Sequence, residues 1–338
     1  MSREARVEKL REIMERLDLG ALLMRRPANF AWYTGGADNR VDHDDPLGVA
    51  GILLSLEDEY VLTDNVEAQR MREEETPGFE VVEHPWYGDP LDVIRELLAG
   101  ESPLGTDFPA ADFRDVSGEI SPLRHVLDAA AVELYRHLGS ETAEAVSEAA
   151  ASLQPGMDES EAAANLGAAC RRRGMFAPVL LAASGGRTDR YRHPIPHGDV
   201  LGRRAMLVVC AERGGLYANL TRFVDFEEPD PQTARRQVAC ETILWRMREE
   251  ATRPGRTLAD SFTDCQRFYA EEGFPDGWRD HHQGGMTGYA SREIIATPQT
   301  HQEIRTGQAF AWNPSLAGAK AEETFVLTDV GPEIITRS

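Results

Sequence analysis

Lysine is nearly absent from this chain of 338 residues, although the chain is highly charged. Lys9 and Lys320 are the only lysines, so all but two of the 36 basic residues are arginines. The formal net charge of −21 argues against a nucleic-acid surface, since phosphate binding needs clustered Lys and Arg. Acidic surfaces with little lysine are typical of a salt-rich cytosol, so we expect a halophilic source. A GC-rich genome that favours arginine codons is the alternative.

Motifs for cysteine chemistry and for membrane insertion are also absent. The four cysteines include no C-x-x-C pair, which argues against a zinc knuckle and against a redox pair. No apolar run approaches the roughly 20 residues that span a bilayer. Residues 1–17 predict a charged amphipathic helix rather than a signal peptide, with Leu10 and Met14 on its apolar face. We therefore expect a cytoplasmic protein with neither nucleic-acid nor membrane partners.

Residues 1–121 are predicted to form an α/β domain, because helical and strand-like segments alternate along them. The segment NFAWYTGG at 29–36 is included as a strand that ends at Tyr33-Thr34-Gly35. An acidic loop, 38–45, follows it. The remaining predicted elements are strands at 20–24, 51–56, 59–63 and 79–84 and a helix at 91–100.

Residues 122–338 are predicted to form a second domain, which begins with an Ala/Glu-rich helical stretch to about residue 153. This domain contains an internal repeat, because Pro155-Gly156, Gly174 and Gly185-Gly186 recur 99 residues later along the chain. The second set is Pro254-Gly255, Gly273 and Gly284-Gly285. A repeat of this kind pairs two αβ halves and leaves a cleft on their common axis, a usual place for a ligand.

The segment 206–224 predicts a β-hairpin with the turn Arg213-Gly214-Gly215. Reflection about that turn places Val208 opposite Asn219. Cross-strand partners lie about 4.5–5.5 Å apart at Cβ, so two carboxylates there could bind one or two cations. Neither residue is a carboxylate.

Motifs in order along nearly the whole chain are similar to those of one family. They are NFAWYTGG, DNVEAQRMREEE, SGGRTDRYRHPIPH, LYANLTRFV, HHQGGMTGY, AWNPS and AEETFVLTDVG. With them the chain resembles the creatinase/prolidase/methionine aminopeptidase family. The resemblance implies an α/β (α+β) fold, with a creatinase-like N-terminal domain and a C-terminal pseudo-twofold "pita-bread" domain. It also implies a homodimer in which the N-terminal domain covers the neighbour's cleft. The acidic loop 38–45 is either the part that reaches this cleft or a solvated surface loop.

The metal-dependent members of that family hold two divalent ions with two Asp, one His and two Glu. Matched motif by motif, the two Asp correspond to Val208 and Asn219, the His to Gly285 and the first Glu to Asn313. Only the last ligand is retained, as Glu322. A dinuclear site needs several charged ligands to offset dehydration of the ions. We therefore expect no metal and no other cofactor.

The polar residues that remain in these motifs predict a substrate site. His193 and His282 are candidate proton carriers, because an unperturbed imidazole titrates near 6.5. Glu322 completes the predicted catalytic set, with Glu323 as the alternative if the motif is shifted by one residue. Arg222 with Glu322 predicts either a clamp for a zwitterion or a buried ion pair. The predicted substrate-binding residues are Tyr217, Asn219, Arg222, His281 and Asn313.

A purely structural role is the alternative for each histidine. A mononuclear metal site of His281, His282 and Glu322 is not favoured, since adjacent residues on a strand face opposite ways.

These residues favour a metal-independent hydrolase that acts on a C–N bond of a small polar compound, such as an amide, amidine or dipeptide. Such chemistry without metal is what the creatinase branch implies. A catalytically inactive homologue that binds a peptide or small ligand is the first alternative. An Xaa-Pro-type metallopeptidase is the second, and it requires the motif matching to be wrong.

Overall fold

The computed structural model describes residues 1–98 and 103–337. The chain divides into two compact units, Met1–Arg124 and His125–Ser338. In the described residues, no helix is long and apolar enough to cross a membrane.

The first unit contains a six-stranded mixed sheet flanked by helices. Its helices are α1 (Arg3–Leu17), α2 (Pro27–Thr34), α3 (Ala68–Arg70, continued by a π turn Met71–Glu75), α4 (Pro90–Leu97), α5 (Ser117–Ile120) and a 3-10 turn Ser121–Arg124. Its strands are β1 (Ala21–Met24), β2 (Gly51–Ser55), β3 (Glu59–Asp64), β4 (Val81–His84), β5 (Leu104–Thr106) and β6 (Arg114–Asp115), in the order β4-β3-β2-β1-β5-β6.

The four strands predicted at 20–24, 51–56, 59–63 and 79–84 are confirmed as β1 to β4. Helix α1 is also confirmed, with Leu10, Ile13 and Met14 buried. The predicted helix at 91–100 is α4, which is described to Leu97, and residues 99–100 of that prediction lie outside the described residues.

The prediction of a strand at 29–36 is wrong, because this segment forms helix α2. Pro27 at the first turn pre-sets a helical φ, and Gly35 ends the helix with a φ of 85°. Phe30 and Trp32 are buried. The sequence of a short helix that is buried on all sides resembles that of a buried strand, since neither element has a polar face.

The second unit contains two αβ halves. Its helices are α6 (Ala129–Ser152), α7 (Glu159–Arg172), α8 (Gly186–Arg190), α9 (Pro231–Arg246, continued by a π turn Met247–Ala251), α10 (Leu258–Glu271) and a 3-10 turn Gly277–Asp280. Its strands are β7 (Phe176–Ser184), β8 (Arg204–Arg213), β9 (Leu216–Asp225), β10 (Gly284–Thr287), β11 (Ile294–Ile295), β12 (Ala309–Trp312), β13 (Ser315–Leu316), β14 (Ala319–Lys320), β15 (Glu323–Thr328) and β16 (Gly331–Ile334).

The predicted repeat is visible as two copies of the same arrangement. Helices α7 and α10 start 99 residues apart, capped by Asp158 and Thr257. One sheet has the order β7-β8-β9 and the other β11-β10-β12-β15-β16. Strand β9 meets the start of strand β15 at a bridge between Thr221 and Glu322, which directly precedes β15, and through hydrogen bonds between Asn219 and the Thr324 hydroxyl. The pseudo-twofold axis therefore passes close to Glu322.

Candidate functional site

The hairpin β8–β9 is confirmed, but its register differs from the prediction. Gly214 and Gly215 alone form the turn, with φ values of 60° and 78°, and Arg213 pairs with Leu216. Two consecutive positive φ values are typical of a two-residue type I′ turn. Asn219 is therefore opposite Cys210, and Val208 is opposite Thr221.

Val208 and Asn219 nevertheless line one small cavity of about 130 Å³ in the second unit. They lie on the same face of the hairpin, because each is two residues from the other's direct partner and side chains alternate along a strand. The full lining comprises Val179, His193, Val208, Val209, Cys210, Asn219, His282, Ser291, Arg292, Asn313, Lys320 and Glu322.

The buried carboxylate of Glu322 is held by two cations. Lys320 Nζ lies 2.9 Å from Glu322 Oε2, and Arg292 Nη2 lies 3.1 Å from Oε1. The Thr221 hydroxyl donates a hydrogen bond of 2.7 Å to Oε2. Burial by itself would raise the pKa of Glu322, but Lys320, Arg292 and Thr221 together lower this pKa to about 2. Glu322 is therefore ionised at neutral pH.

Glu322, rather than Glu323, faces the cavity. Glu323 starts strand β15 and forms an ion pair with Arg248 instead. Arg222 lines a neighbouring cavity of about 300 Å³, which Lys320 and Glu322 also line. The carboxylate that faces this cavity was therefore named from the sequence, but the cations that contact it were not.

Three histidines cluster at the edge of the 130 Å³ cavity. Nε2 of His281 lies 2.9 Å from Nε2 of His193, and the rings of His281 and His282 stack with centroids 4.2 Å apart. One ligand atom from each of the three lies within 4.8 Å of the others. The expectation that His281 and His282 face opposite ways is wrong, because both precede strand β10 and are not part of it.

The cluster is uncharged at neutral pH. Burial, followed by the neighbouring His282, lowers the pKa of His281 to about 3. Burial, followed by Arg292, lowers the pKa of His282 to about 4. Burial and then Lys320 also lower the pKa of His193. Since both imidazoles are neutral, the contact between His193 and His281 has one Nε2 as donor and the other as acceptor.

Several polar atoms of the site are buried without a hydrogen-bond partner in the described part of the chain. They include Asn219 Nδ2, Asn313 Oδ1 and Arg292 Nε, together with Nδ1 of His281 and of His282. The side chains of Asn219 and Asn313 are almost fully buried, at 4% and 2% exposure. A buried polar atom normally has a partner, so these atoms indicate a site that accepts a polar ligand.

Cys210 lines the same cavity but is unsuited to nucleophilic catalysis. Burial raises the pKa of its thiol to about 12. The thiolate is the reactive form of cysteine and is essentially absent at this pKa.

The loop that carries His193 is anchored by a buried ion pair. Glu159, which is fully buried, accepts a hydrogen bond from the backbone N–H of Ser184 and lies 3.0 Å from Arg187 Nε. Glu159 also accepts one from the N–H of His197, and Arg187 donates to the carbonyl of Ile195. This pair connects the two ends of the segment 184–197.

The predicted site residues do not all come together. His193, Asn219, His282, Asn313 and Glu322 line one cavity. His281 adjoins this cavity through its contact with His193. Tyr217 is on the same face of β9 as Asn219 but is not part of that lining, and its N–H donates to the Gly288 carbonyl. Arg222 belongs to the neighbouring cavity.

Lys320 and Arg292 were missed by reasoning from sequence. Lys320 stood out in the sequence, because it is one of only two lysines and lies two residues before Glu322. Arg292 carried no such signal among the many arginines.

Family profiles match both units of the chain. The profile "Metallopeptidase family M24" matches residues 133–329, more than half of the chain. The profile "Creatinase/Prolidase N-terminal domain" matches residues 6–126. The chain belongs to metallopeptidase family M24. This membership confirms the resemblance stated above. The family is one of peptidases, which hydrolyse C–N bonds. No curated protein sequence matches the chain.

Solved structures share the fold over the whole chain. A prolidase from Pyrococcus horikoshii OT3 superposes with a TM-score of 0.84 at 19% identity, covering 99% of this chain and 98% of that one. An Xaa-Pro dipeptidase from Bacillus anthracis gives 0.83 at 17%, covering 100% and 98%. The N-terminal domain of FACT complex subunit SPT16 from Cicer arietinum (chickpea) gives 0.70 at 14%, covering 99% and 97%. The creatinase-like and pita-bread architecture is thereby confirmed.

The residues that the motif matching assigns to the family's ligand positions do not fit a dinuclear metal site. Val208 has no donor atom, and a Cβ added at Gly285 would lie 2.2 Å from the Ile294 carbonyl oxygen, so no histidine fits there. Glu322 already has two cationic partners. A divalent ion beside Lys320 and Arg292 would meet like charge at short range.

Proposed function

We propose that this M24 protein is a metal-independent hydrolase that acts on a C–N bond of a small polar compound. The observation that supports this most directly is the pairing of Glu322 with Lys320 and Arg292. In this pairing, side-chain cations supply the positive charge beside the one ligand-type carboxylate that remains. Apart from Glu322, the described lining of the cavity contains no carboxylate, and it offers the amides of Asn219 and Asn313 and neutral imidazoles.

The histidine cluster supplies the proton transfer in this proposal. His193 is the most exposed of the three, so water reaches it from solvent. Its neutral imidazole takes a proton as the water oxygen bonds to the substrate carbon, and the leaving nitrogen receives a proton as the C–N bond breaks. His281, whose Nε2 lies 2.9 Å from that of His193, orients this ring and relays the proton.

The other residues of the cavity bind and orient the substrate. Asn219 Nδ2 and Asn313 Oδ1 offer one donor and one acceptor, which suits an amide, amidine or ureido group. Glu322 keeps Lys320 and Arg292 in place, so its role is to position these cations rather than to act on the substrate. The volume of about 130 Å³ is below the range of roughly 300–1,000 Å³ that is usual for drug-sized ligands, which favours a small substrate.

A second candidate is a hydrolase with a single metal ion on His193, His281 and His282. The arrangement of three donor atoms within 4.8 Å of one another favours it. This candidate places the ion outside the family's ligand positions. Three imidazoles suit zinc and other first-row transition metals.

The proposal is tested by a search for ligands followed by an assay of turnover. Small amides, ureido compounds, cyclic amidines and X-Pro dipeptides are screened by thermal shift, and each binder is then assayed for release of the nitrogen product. The expected result is turnover that a chelator leaves unchanged and that His193→Asn reduces by roughly 10²- to 10⁴-fold. Turnover that is lost with chelation and restored by zinc supports the second candidate instead. Binding without turnover of any compound indicates an inactive homologue that retains a ligand site.

A further inference from the structure

Three charged side chains line the cavity of about 130 Å³, and their charges do not cancel. Lys320 and Arg292 each carry a positive charge, and Glu322 carries the only negative charge among the described residues that line the cavity. The side chains of Lys320 and Glu322 are 5% and 4% exposed, and that of Arg292 is 13% exposed. One positive charge is therefore left in a largely buried cavity.

The histidines do not change this balance. Those that line or adjoin the cavity are neutral at pH 7, because burial and the nearby cations disfavour their protonated forms. The next carboxylate along the chain, Glu323, is committed to Arg248. An unpaired buried charge is costly, so a site with this balance favours a ligand of opposite sign.

Two residues that line this cavity have donor atoms without a hydrogen-bond partner among the described residues. Arg292 donates through Nη2 to Glu322 and through Nη1 to the Ser291 carbonyl, whereas its Nε is buried and has no partner within the described chain. Asn219 Nδ2 is likewise buried and unpartnered there. Hydrogen bonds from a guanidinium to a carboxylate are about twice as strong as those between neutral groups.

We infer that this cavity binds the carboxylate group of a small monoanionic ligand, between Arg292, Lys320 and Asn219. A single negative charge balances the site, whereas a dianion would reverse its charge. Two carboxylate oxygens can accept from two donors at once, which a halide cannot do as effectively. Where the proposed hydrolase function holds, on which this step rests, the substrate is a small carboxylate whose C–N bond lies towards His193 and His282.

Matched probes separate charge from size. Acetate and acetamide have nearly the same shape but differ by one negative charge, and chloride carries the charge without the carboxylate geometry. Calorimetric titration of the full chain with each probe uses potassium sulfate to hold the ionic strength constant. We expect acetate to bind about tenfold more tightly than acetamide, since a charged hydrogen bond exceeds a neutral one by about 1.4 kcal/mol or more. We also expect chloride to bind more weakly than acetate.

Variants that change the net charge of the cavity by known amounts test whether this charge causes the preference for acetate. Lys320→Gln makes the site neutral and should remove the preference for acetate. The double variant Lys320→Gln with Glu322→Gln restores one net positive charge and should restore the preference. Lys320→Arg, which keeps the charge, should retain it. Arg305→Gln removes an arginine whose side chain is 61% exposed, and should leave the preference unchanged.

The inference is overturned if acetamide or chloride binds as tightly as acetate, if the wild-type protein binds none of the three, or if Lys320→Gln keeps the preference. These outcomes concern binding alone. The proposed hydrolase function fails separately, when no compound is turned over although acetate binds. Turnover of uncharged amides without acetate binding would overturn this inference and leave that function standing.

Discussion

Nζ of Lys320 lies 2.9 Å from Oε2 of Glu322, and both side chains are almost completely buried. In the motif matching above, Glu322 is the one predicted metal-ligand position that keeps its carboxylate. An ammonium and a guanidinium therefore partner the carboxylate that the resemblance predicts as a metal ligand. Since Arg292 also pairs with Glu322, two cations share one carboxylate, which leaves the excess of positive charge described above.

Glu322→Gln should lower the free energy of unfolding by about 3–5 kcal/mol, because it leaves Lys320 and Arg292 buried without a countercharge. Chemical denaturation at pH 7 measures this difference. The difference in free energy of unfolding between the wild-type protein and the variant should shrink as the pH falls from 4.5 towards 2. A carboxylate whose folded-state pKa is lowered to about 2 stabilises the protein above its unfolded-state pKa, and this stabilisation is lost on acidification.

Glu303→Gln is the matched control for that change. Glu303 also forms an ion pair with an arginine, but its side chain is 50% exposed. Exposed pairs contribute about 0–1 kcal/mol, so this substitution should have little effect. Equal losses from both substitutions would contradict the assignment of Glu322 as a buried partner of two cations.

Much of the fold could be predicted from local signals in the sequence. The recurring Pro-Gly and Gly positions identified the two copies of the repeat in the sequence. The structure gives the physical reason, because Gly156 and Gly255 both adopt positive φ values near 85°. Helix α2 was missed because burial on all sides removes the pattern that separates helix from strand. The hairpin register depended on whether the turn has two residues or three, which Arg213-Gly214-Gly215 leaves open.

The site was predicted less completely, because its electrostatics depend on tertiary contacts. Arg292 and Glu322 are 30 residues apart in sequence and meet only in the folded unit. The stacking of His281 on His282 depends on where strand β10 begins. The homodimer, the cytoplasmic location and the halophilic source remain predictions.

His281→Asn should flatten the dependence of stability on pH between about 6.5 and 4. The folded protein keeps His281 neutral, with a pKa of about 3, whereas the unfolded chain takes up a proton near pH 6.5. The unfolded state then binds more protons, so the wild-type protein loses stability as the pH falls through this range. Melting temperatures measured across the range test this. His137→Asn, at a histidine 66% exposed, is the control and should keep the wild-type slope.

Protein purified without chelators should contain less than one equivalent of divalent metal. The residues matched by motif to four of the five family ligand positions supply no charged ligand, namely Val208, Asn219, Gly285 and Asn313. Elemental analysis for Mn, Fe, Co and Zn tests this expectation. A full equivalent that disappears in His282→Asn would place an ion on the histidine cluster and favour the second candidate function.

His193→Asn should reduce turnover of any substrate by roughly 10²- to 10⁴-fold, the usual contribution of a general acid or base. His282→Asn tests whether the second imidazole lining the cavity takes part as well. Asparagine is similar in size to histidine and retains hydrogen bonding, so the melting temperature of either variant should change little. Steady-state kinetics should show the loss in kcat rather than in KM. Full activity in both variants would remove the histidine cluster from the mechanism.

The melting temperature should rise substantially between dilute buffer and molar KCl. The net charge of −21 makes the folded surface repel itself, and this repulsion weakens when the screening length falls to about 3 Å in molar salt. A variant with Glu57→Gln, Glu228→Gln and Asp329→Asn removes three exposed negative charges and should melt higher in dilute buffer and gain less from KCl. A parallel series in sucrose separates screening from general exclusion of a cosolute, which should stabilise both proteins equally. A flat or falling response of the wild-type protein to KCl would favour arginine-rich codon usage as the reason for the missing lysines.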